Sequence, residues 1–187
     1  MTFSLSRPAL GVFCGSAVGA DPAHAELARA LGRAAAEAGV PIVYGGGKVG
    51  LMGVLAEAAL AAGGVVAGVI PRALMELEVA AGNLSHLEVV ETMHDRKRRL
   101  YEMSDVFCVL PGGFGTLDET VEILTWRHLG WHDKPIRLLD PDGHWRKLEE
   151  LFAHLVGSGF ARPASLQGIA TVRTPAEVLA ALPAPVG

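Results

Sequence analysis

The sequence predicts an α/β fold: a Rossmann-like doubly wound parallel sheet with helices on both faces, forming a single domain. Three observations predict it. Short apolar runs of strand length alternate along the chain with alanine-rich or amphipathic runs of helix length. Glycine-rich turns follow three of the apolar runs. The chain has 187 residues, 50% of them hydrophobic, which is enough for one buried core. Alternating strands and helices favour parallel pairing with right-handed crossovers.

In the first half of the chain, each predicted strand is an apolar run that precedes a turn residue. These strands cover, in order, residues 9–14, 41–44, 65–70 and 87–91. The predicted helices lie between and after them, over residues 22–38, 51 to about 63, and 93–103. Asp21 is the expected N-cap of the first helix and Gly39 its end. Residues 72–84 match no regular element.

The centre of the chain is the sequence Pro111-Gly112-Gly113-Phe114-Gly115-Thr116-Leu117-Asp118-Glu119. A buried strand over 106–110 leads into it, and Pro111 ends that strand because proline cannot donate to the ladder. Thr116 is predicted to open the following helix, whose first-turn amides would point at an anion in the glycine loop. The Thr116–Glu119 spacing equally fits a capping box, and the spacing alone leaves both interpretations open.

The remaining chain repeats the pattern, so we predict one domain over 1–187 with an ordered core of about 8–182. Strands are expected over 135–139 and 169–172, and helices over 145–156 and 175–182. In a doubly wound sheet, ligands bind outside the carboxyl ends of the strands, at the switch point of the strand order. Glycine turns near Gly15, Gly45 and Gly113 would converge there, which favours a nucleotide pocket.

Composition excludes several classes of function. The formal charge of −4 argues against a nucleic-acid partner. No secretory leader and no apolar run of membrane-spanning length are present, and Cys14 and Cys108 fit buried hydrophobic positions; we therefore expect a cytoplasmic protein without a membrane partner. Neither a P-loop, nor the dinucleotide fingerprint, nor a zinc spacing occurs, so a mononucleotide ligand is expected, with no cofactor and no metal.

Two charged residues are candidates for chemistry. Arg96 starts a helix at the rim of the glycine loop and suits bidentate contact with a phosphate or carboxylate. Glu119, one turn into its own helix, could act as a base or an electrostatic stabiliser, although Asp118 and Glu122 compete for the role. Arg98 and Arg99 fit a solvated basic face, and His94 remains ambiguous.

These motifs together resemble the LOG ("Lonely Guy") family, cytokinin riboside 5′-monophosphate phosphoribohydrolases long mislabelled as lysine decarboxylases. The resemblance is carried by the family's PGGxGTxxE motif at 111–119 and its MHxRK motif at 93–97. Shorter matches lie at 12–16, 44–47, 50–53 and 68–71. Ala17 departs from the pattern, since many relatives have a second serine there.

The resemblance implies a Rossmann-like homodimer with its active site near the interface, acting on a small-molecule nucleoside monophosphate. The reaction would cleave the N-glycosidic bond of adenosine 5′-monophosphate, or of an N6-substituted derivative, to free base and ribose 5-phosphate. Arg96 and Glu119 would be the catalytic pair. The substrate-binding residues implied are Ser16, Gly45, Gly46, Glu78, Met93, Lys97, Gly113, Phe114, Gly115 and Thr116, with Lys97 assisting the phosphate loop.

A second hypothesis comes from another class of protein. The same phosphate loop could serve a non-catalytic nucleotide or cofactor carrier, but a carrier has no need of the Arg96–Glu119 pair. The decarboxylase label has a weak chemical basis, because none of the four lysines lies in a recognisable pyridoxal site.

Overall fold

Seven parallel strands form one sheet in the computed structural model, which describes residue 5 and residues 8–75 and 84–184. The strands are β1 Leu10–Phe13, β2 Ile42–Tyr44, β3 Val66–Pro71, β4 His86–Val90, β5 Val106–Val109, β6 Ile136–Leu139 and β7 Ile169–Val172. Their order across the sheet is β4-β3-β2-β1-β5-β6-β7. The predicted α/β fold class and its parallel sheet are therefore confirmed.

Six α-helices within the described residues connect the strands. They are α1 Pro22–Glu37, α2 Gly50–Ala61, α3 Met93–Glu102, α4 Phe114–His128, α5 Arg146–Gly157 and α6 Pro175–Leu179. Short 3-10 turns cover Arg72–Leu74 and Pro163–Leu166. Asp21 caps α1 as predicted, its carboxylate accepting from the amide of Ala23. None of the described helices is long and apolar enough to cross a membrane.

The helices cover both faces of the sheet, as predicted. On one face α1, α2 and α6 pack over β1 side chains such as Leu10 and Val12. On the other face α3, α4 and α5 pack over Phe13 and Phe107. The side chains of β1 alternate between the two clusters because successive strand residues point to opposite faces of a sheet.

The start of α4 differs from the prediction. The helix begins at Phe114, with Gly113 as its N-cap, so Thr116 lies inside the first turn and forms no capping box with Glu119. Thr116 is buried, and a Cβ at Gly112 would lie 2.1 Å from the Thr116 hydroxyl oxygen. The threonine side chain thus packs under the loop and leaves the helix terminus without a side-chain cap.

The strand order places a crevice in the middle of the sheet. β1 pairs with β2 on one side and with β5 on the other, with Leu10 opposite both Ile42 and Val106. The chain leaves β1 for α1 on one face and leaves β5 for α4 on the opposite face. Loops that diverge in this way open a crevice at the carboxyl edge, which is the expected ligand position.

Candidate active site

A cavity of about 230 Å³ lies in this crevice. Its walls are the loops that follow β1, β2 and β5 and the first turns of α2, α3 and α4. The lining residues are Val12, Cys14, Gly15, Ser16, Gly45, Met52, Leu74, Met93, Arg96, Gly113, Phe114, Gly115, Thr116, Asp118 and Glu119. The three predicted glycine turns therefore meet at one site.

One wall of the cavity is the N-terminus of α4. The N-cap Gly113 offers no side-chain hydrogen bond to the first turn. A Cβ added at Gly113 or Gly115 would meet no described atom within 4 Å, so open space adjoins the main chain there. The first-turn amides of a helix have no intrahelical acceptor and carry a partial positive charge. Both features suit a bound anion such as phosphate.

Close backbone contacts brace the loops around this wall. The amide of Gly15 donates to the carbonyl of Pro111 over 3.1 Å, which ties the loop after β1 to the loop after β5. The amide of Leu51 donates to the carbonyl of Gly15 over 3.0 Å. Gly50 has φ of +63°, and a Cβ there would lie 2.2 Å from the carbonyl carbon of Ser16. Glycine at 50 is thus required by both conformation and space.

Arg96 reaches the cavity from the first turn of α3. Thr92 caps that helix by accepting from the amide of Asp95 over 3.0 Å. The Arg96 side chain is buried, and its Nη2 donates to the carbonyl of Gly45 over 3.1 Å. A Cβ at Gly45 would lie 2.1 Å from that same nitrogen, so the guanidinium occupies the space that a side chain at 45 would take.

Glu119 reaches the same cavity from α4 and is half-buried. The surroundings of Cys14, on the cavity floor, show that Glu119 and Arg96 share this space. Burial is the main cause that raises the pKa of the Cys14 thiol; the charge of Glu119 raises it further, and Arg96 acts to lower it. Both side chains therefore lie close enough to the Cys14 thiol to act on its charge, and burial keeps that thiol protonated.

Lys97 lies beside the cavity and is not among the residues that line it. Its Nζ lies 3.2 Å from Asp118 and 3.0 Å from Glu122, both on α4. Burial acts to lower the pKa of Lys97, but hydrogen bonds to Glu122 and Asp118 outweigh it and raise the pKa above its ordinary value. The structure gives this ammonium carboxylate partners, and its contact with a phosphate stays a prediction.

The structure brings most of the predicted site residues together. Those that line the cavity are Ser16, Gly45, Met93, Arg96, Gly113, Phe114, Gly115, Thr116 and Glu119. Gly46 does not line it; its φ of +80° turns the chain after β2, and a Cβ there would lie 3.2 Å from the Cβ of Ile70 and 3.3 Å from Leu87. Glu78 lies outside the described residues.

Sequence reasoning left four lining residues out of the site, namely Val12, Cys14, Met52 and Leu74. It placed Gly15 in one of the converging turns without naming it a binding residue, and it treated Asp118 only as a competitor of Glu119. Val12 and Cys14 come from the carboxyl end of β1 and point to one side of it. The strand register and the switch-point rule together could have identified them. Leu74 follows β3 in a turn that carried no sequence signal.

Comparison with known proteins places the chain among enzymes of one kind. The family model described as "Possible lysine decarboxylase" matches residues 52–182. A cytokinin riboside 5′-monophosphate phosphoribohydrolase from Rhodococcoides fascians is 42% identical over 175 residues, covering 93% of this chain and 88% of that protein. A probable enzyme of the same name from Oryza sativa subsp. japonica is 42% identical over 168 residues, covering 90% of this chain and 75% of that protein.

Solved structures share the fold at lower identity. The molybdenum cofactor binding protein of Rippkaea orientalis is 25% identical with a TM-score of 0.73, covering 95% of this chain and 96% of that one. A molybdenum cofactor carrier protein from Chlamydomonas reinhardtii is 21% identical with a TM-score of 0.69, covering 94% of each chain, which shows the fold alone. The matching motifs, the family model and the 42% identical relatives agree, and the chain belongs to the LOG family of cytokinin riboside 5′-monophosphate phosphoribohydrolases.

Proposed function

We propose that this protein hydrolyses the N-glycosidic bond of adenosine 5′-monophosphate and its N6-substituted derivatives. The products are free adenine, or a cytokinin base, and ribose 5-phosphate. The observation that carries the proposal is the placement of Arg96 and Glu119 in one cavity with the uncapped start of α4. The names of the 42% identical relatives support the same reaction.

The proposed chemistry follows from Glu119, Arg96 and the uncapped start of α4. Breaking a glycosidic bond gathers positive charge on the ribose in an oxocarbenium-like transition state. The carboxylate of Glu119 would stabilise that charge and accept a proton from the attacking water. The amides of the first turn of α4 would anchor the 5′-phosphate and fix the sugar in position. Arg96 would orient the ribose or Glu119 through the donors of its guanidinium and would not act as an acid.

Part of the cavity lining suits an alkylated base. Val12, Met52, Leu74 and Met93 contribute apolar side chains to it. Methionine adapts its shape to irregular ligands and is favoured at surfaces that accept apolar groups. An N6-isopentenyl substituent on adenine would find apolar contact here, which favours cytokinin nucleotides as substrates.

The decisive assay incubates the purified protein with AMP and with N6-isopentenyl-AMP and measures the free base by chromatography. We expect base from at least one nucleotide, and Glu119→Gln should remove most of the turnover. Glu57→Gln, the same chemical change at an exposed position of α2, is the matched control and should keep full activity. Absence of base from both nucleotides would reject the proposal.

The alternative is a carrier, and the Rippkaea orientalis protein is the relevant precedent because its name states that it binds molybdenum cofactor. This hypothesis is weaker, since that protein is 25% identical to this chain while the hydrolases reach 42%. Tight AMP binding without turnover, unchanged by Glu119→Ala, would favour the carrier.

We also propose that the enzyme is a homodimer with the cavity near its interface. A groove between α3 and α4 is lined by Tyr101, Trp126 and Trp131, and the Trp131 side chain is 67% exposed. Met93 and Phe114, which line the cavity, are also exposed, Phe114 by 93%. Exposed aromatic surface of this kind is typical of protein interfaces.

Sedimentation velocity tests the dimer. Trp131→Glu should yield monomers, whereas Phe160→Glu, at another exposed aromatic position, should leave the dimer intact. A wild-type protein that sediments as a monomer at assay concentration would contradict the proposal.

A cytosolic location is proposed as well, because Cys14 and Cys108 are free, buried thiols; subcellular fractionation tests it.

A further inference from the structure

We infer that Lys97 is a positioning residue that fixes the helix carrying Glu119 against the helix carrying Arg96. The inference rests on the proposed function, because it assigns Lys97 a part in the same reaction. It differs from the phosphate contact expected from the sequence, in which the ammonium would bind substrate directly.

The geometry of the ion pairs carries the inference. Lys97 lies on α3, one residue after Arg96, and its ammonium contacts Asp118 and Glu122 on α4. Asp118 directly precedes Glu119, and Glu122 lies one turn beyond it, so the two contacts lie on either side of Glu119 along the helix. A single ammonium therefore restrains both the rotation of α4 and its distance from α3.

The burial of these groups indicates a defined contact. The Lys97 side chain is only 12% exposed, and that of Glu122 is 22% exposed. Exposed ion pairs contribute little because solvent screens them and their long side chains lose entropy on pairing. A shielded lysine with two carboxylate partners is screened less and holds a narrower set of positions. The Asp118 contact, at 59% exposure, is the weaker of the two.

Lys97 also balances the charge on α4. Asp118, Glu119 and Glu122 place three carboxylates within two turns, and like charges at this spacing repel one another. Arg96 on α3 and Cys14 at the end of β1 also lie near Glu119. Removal of Lys97 would leave Asp118 and Glu122 as uncompensated anions beside Glu119, which disfavours the ionised form of the base.

The test compares Lys97→Met with Lys97→Arg in steady-state kinetics on AMP. Lys97→Met should lower kcat by about 10- to 100-fold, the loss that follows a displacement of roughly 1 Å in a reacting group. Its Kd for ribose 5-phosphate, measured by calorimetry, should stay within about threefold of the wild type, since the phosphate anchor on α4 is untouched. The acid limb of the kcat profile should move to higher pH, which a merely structural lesion would not cause. Lys97→Arg keeps the charge and should restore most of kcat.

Two further variants keep the outcome decisive. Arg29→Met removes a cation from the exposed pair with Glu26 on α1 and should behave as wild type. Glu122→Gln removes one anchor without touching the cavity lining, so it should reproduce part of the kcat loss even if Lys97→Met fails to fold. Wild-type kcat in Lys97→Met and Glu122→Gln would overturn the inference. So would a tenfold or greater rise in the Kd for ribose 5-phosphate with kcat unchanged, because that is the signature of a direct phosphate contact. If the wild type releases no base, the proposed function fails, and this inference fails with it.

Discussion

Gly45→Ala is the sharpest perturbation of the proposed site, because it adds one methyl group beside the Arg96 guanidinium. The new Cβ would lie 2.1 Å from Nη2 and 3.2 Å from Cζ, whereas ordinary contacts begin at 3.4 Å. The guanidinium must therefore retreat by more than about 1 Å, which breaks its hydrogen bond to the Gly45 carbonyl. The φ of Gly45 lies outside the left-handed region, so the variant tests crowding and not backbone strain.

The expected loss can be estimated from that hydrogen bond. A bond made by a charged group contributes about 1.5–3 kcal/mol, and each ~1.36 kcal/mol corresponds to a tenfold change in rate. We expect kcat/KM for AMP to fall by roughly 10- to 100-fold. The free energy of unfolding should fall by at most about 3 kcal/mol, the contribution of that same bond, because the displaced atoms are the end of a flexible side chain.

A double-mutant cycle separates the Arg96 effect from general damage. In an Arg96→Ala background, Gly45→Ala should have little further effect on kcat/KM. Gly157→Ala, where a Cβ would meet no described atom within 4 Å, is the matched control and should retain activity. The reasoning is refuted if Gly45→Ala is as active as the wild type, or if it loses the same factor with and without Arg96.

Three further predictions concern other groups. Glu119→Ala should lower kcat on AMP by at least ~10²-fold, the scale typical of a general base or electrostatic group, and rapid-quench kinetics should place the loss in the chemical step. Burial raises the pKa of Cys14, so its thiol should react with iodoacetamide at pH 8 far more slowly than in urea, as peptide mapping by mass spectrometry would show; equal rates would contradict its buried position. Hydrogen bonds from Arg99 lower the pKa of Glu88 below its ordinary 4.5, so the pair stabilises the fold above that pH and loses this contribution as the pH falls through the lowered value. Glu88→Gln should therefore reduce the free energy of unfolding by about 1–3 kcal/mol at pH 7, and thermal melts should show the difference shrinking below pH 4.5.

Much of the site could be predicted from the sequence because its elements are local. Strands and helices alternate, and β1, β2 and β5 each end in a glycine turn, so parallel pairing alone brings those turns to one edge. Glu119 follows the glycine turn after β5, and Arg96 follows the end of β4 at the same edge. Their shared cavity required only the correct fold class, with no knowledge of side-chain conformation.

The predicted start of α4 was wrong because the preference for threonine at the N-cap favoured Thr116. Threonine is a better N-cap than most residues, but glycine is also accepted at that position. With Gly113 and not Thr116 as the N-cap, the helix gains three residues and Thr116 packs against Gly112. A ligand-binding terminus benefits from this arrangement, because a side-chain cap would compete with the anion for the same amides.

The partners of Lys97 illustrate a second limit. Met93, Arg96 and Lys97 are spaced i, i+3 and i+4, so all three lie on one face of α3. Helical geometry therefore allows either cation to reach the cavity, and only the packing of α3 against α4 decides that Arg96 lines it while Lys97 pairs with α4. That packing depends on contacts distant in sequence, and no local pattern encodes them.

The topology itself explains why a cation reaches this crevice. The connection from β4, at the edge of the sheet, must cross β3, β2 and β1 to reach β5 at the centre. α3 forms that crossover, and its first turn lies at the carboxyl edge, where Arg96 bonds the carbonyl of Gly45 after β2. Any protein with this strand order acquires both the crevice and an α3 start beside it, whether it carries a ligand or cleaves one. We therefore expect the side chains at positions 96 and 119 to decide function within this fold. Exchanging these two side chains between a hydrolase and a carrier would test whether activity follows the side chains or the fold.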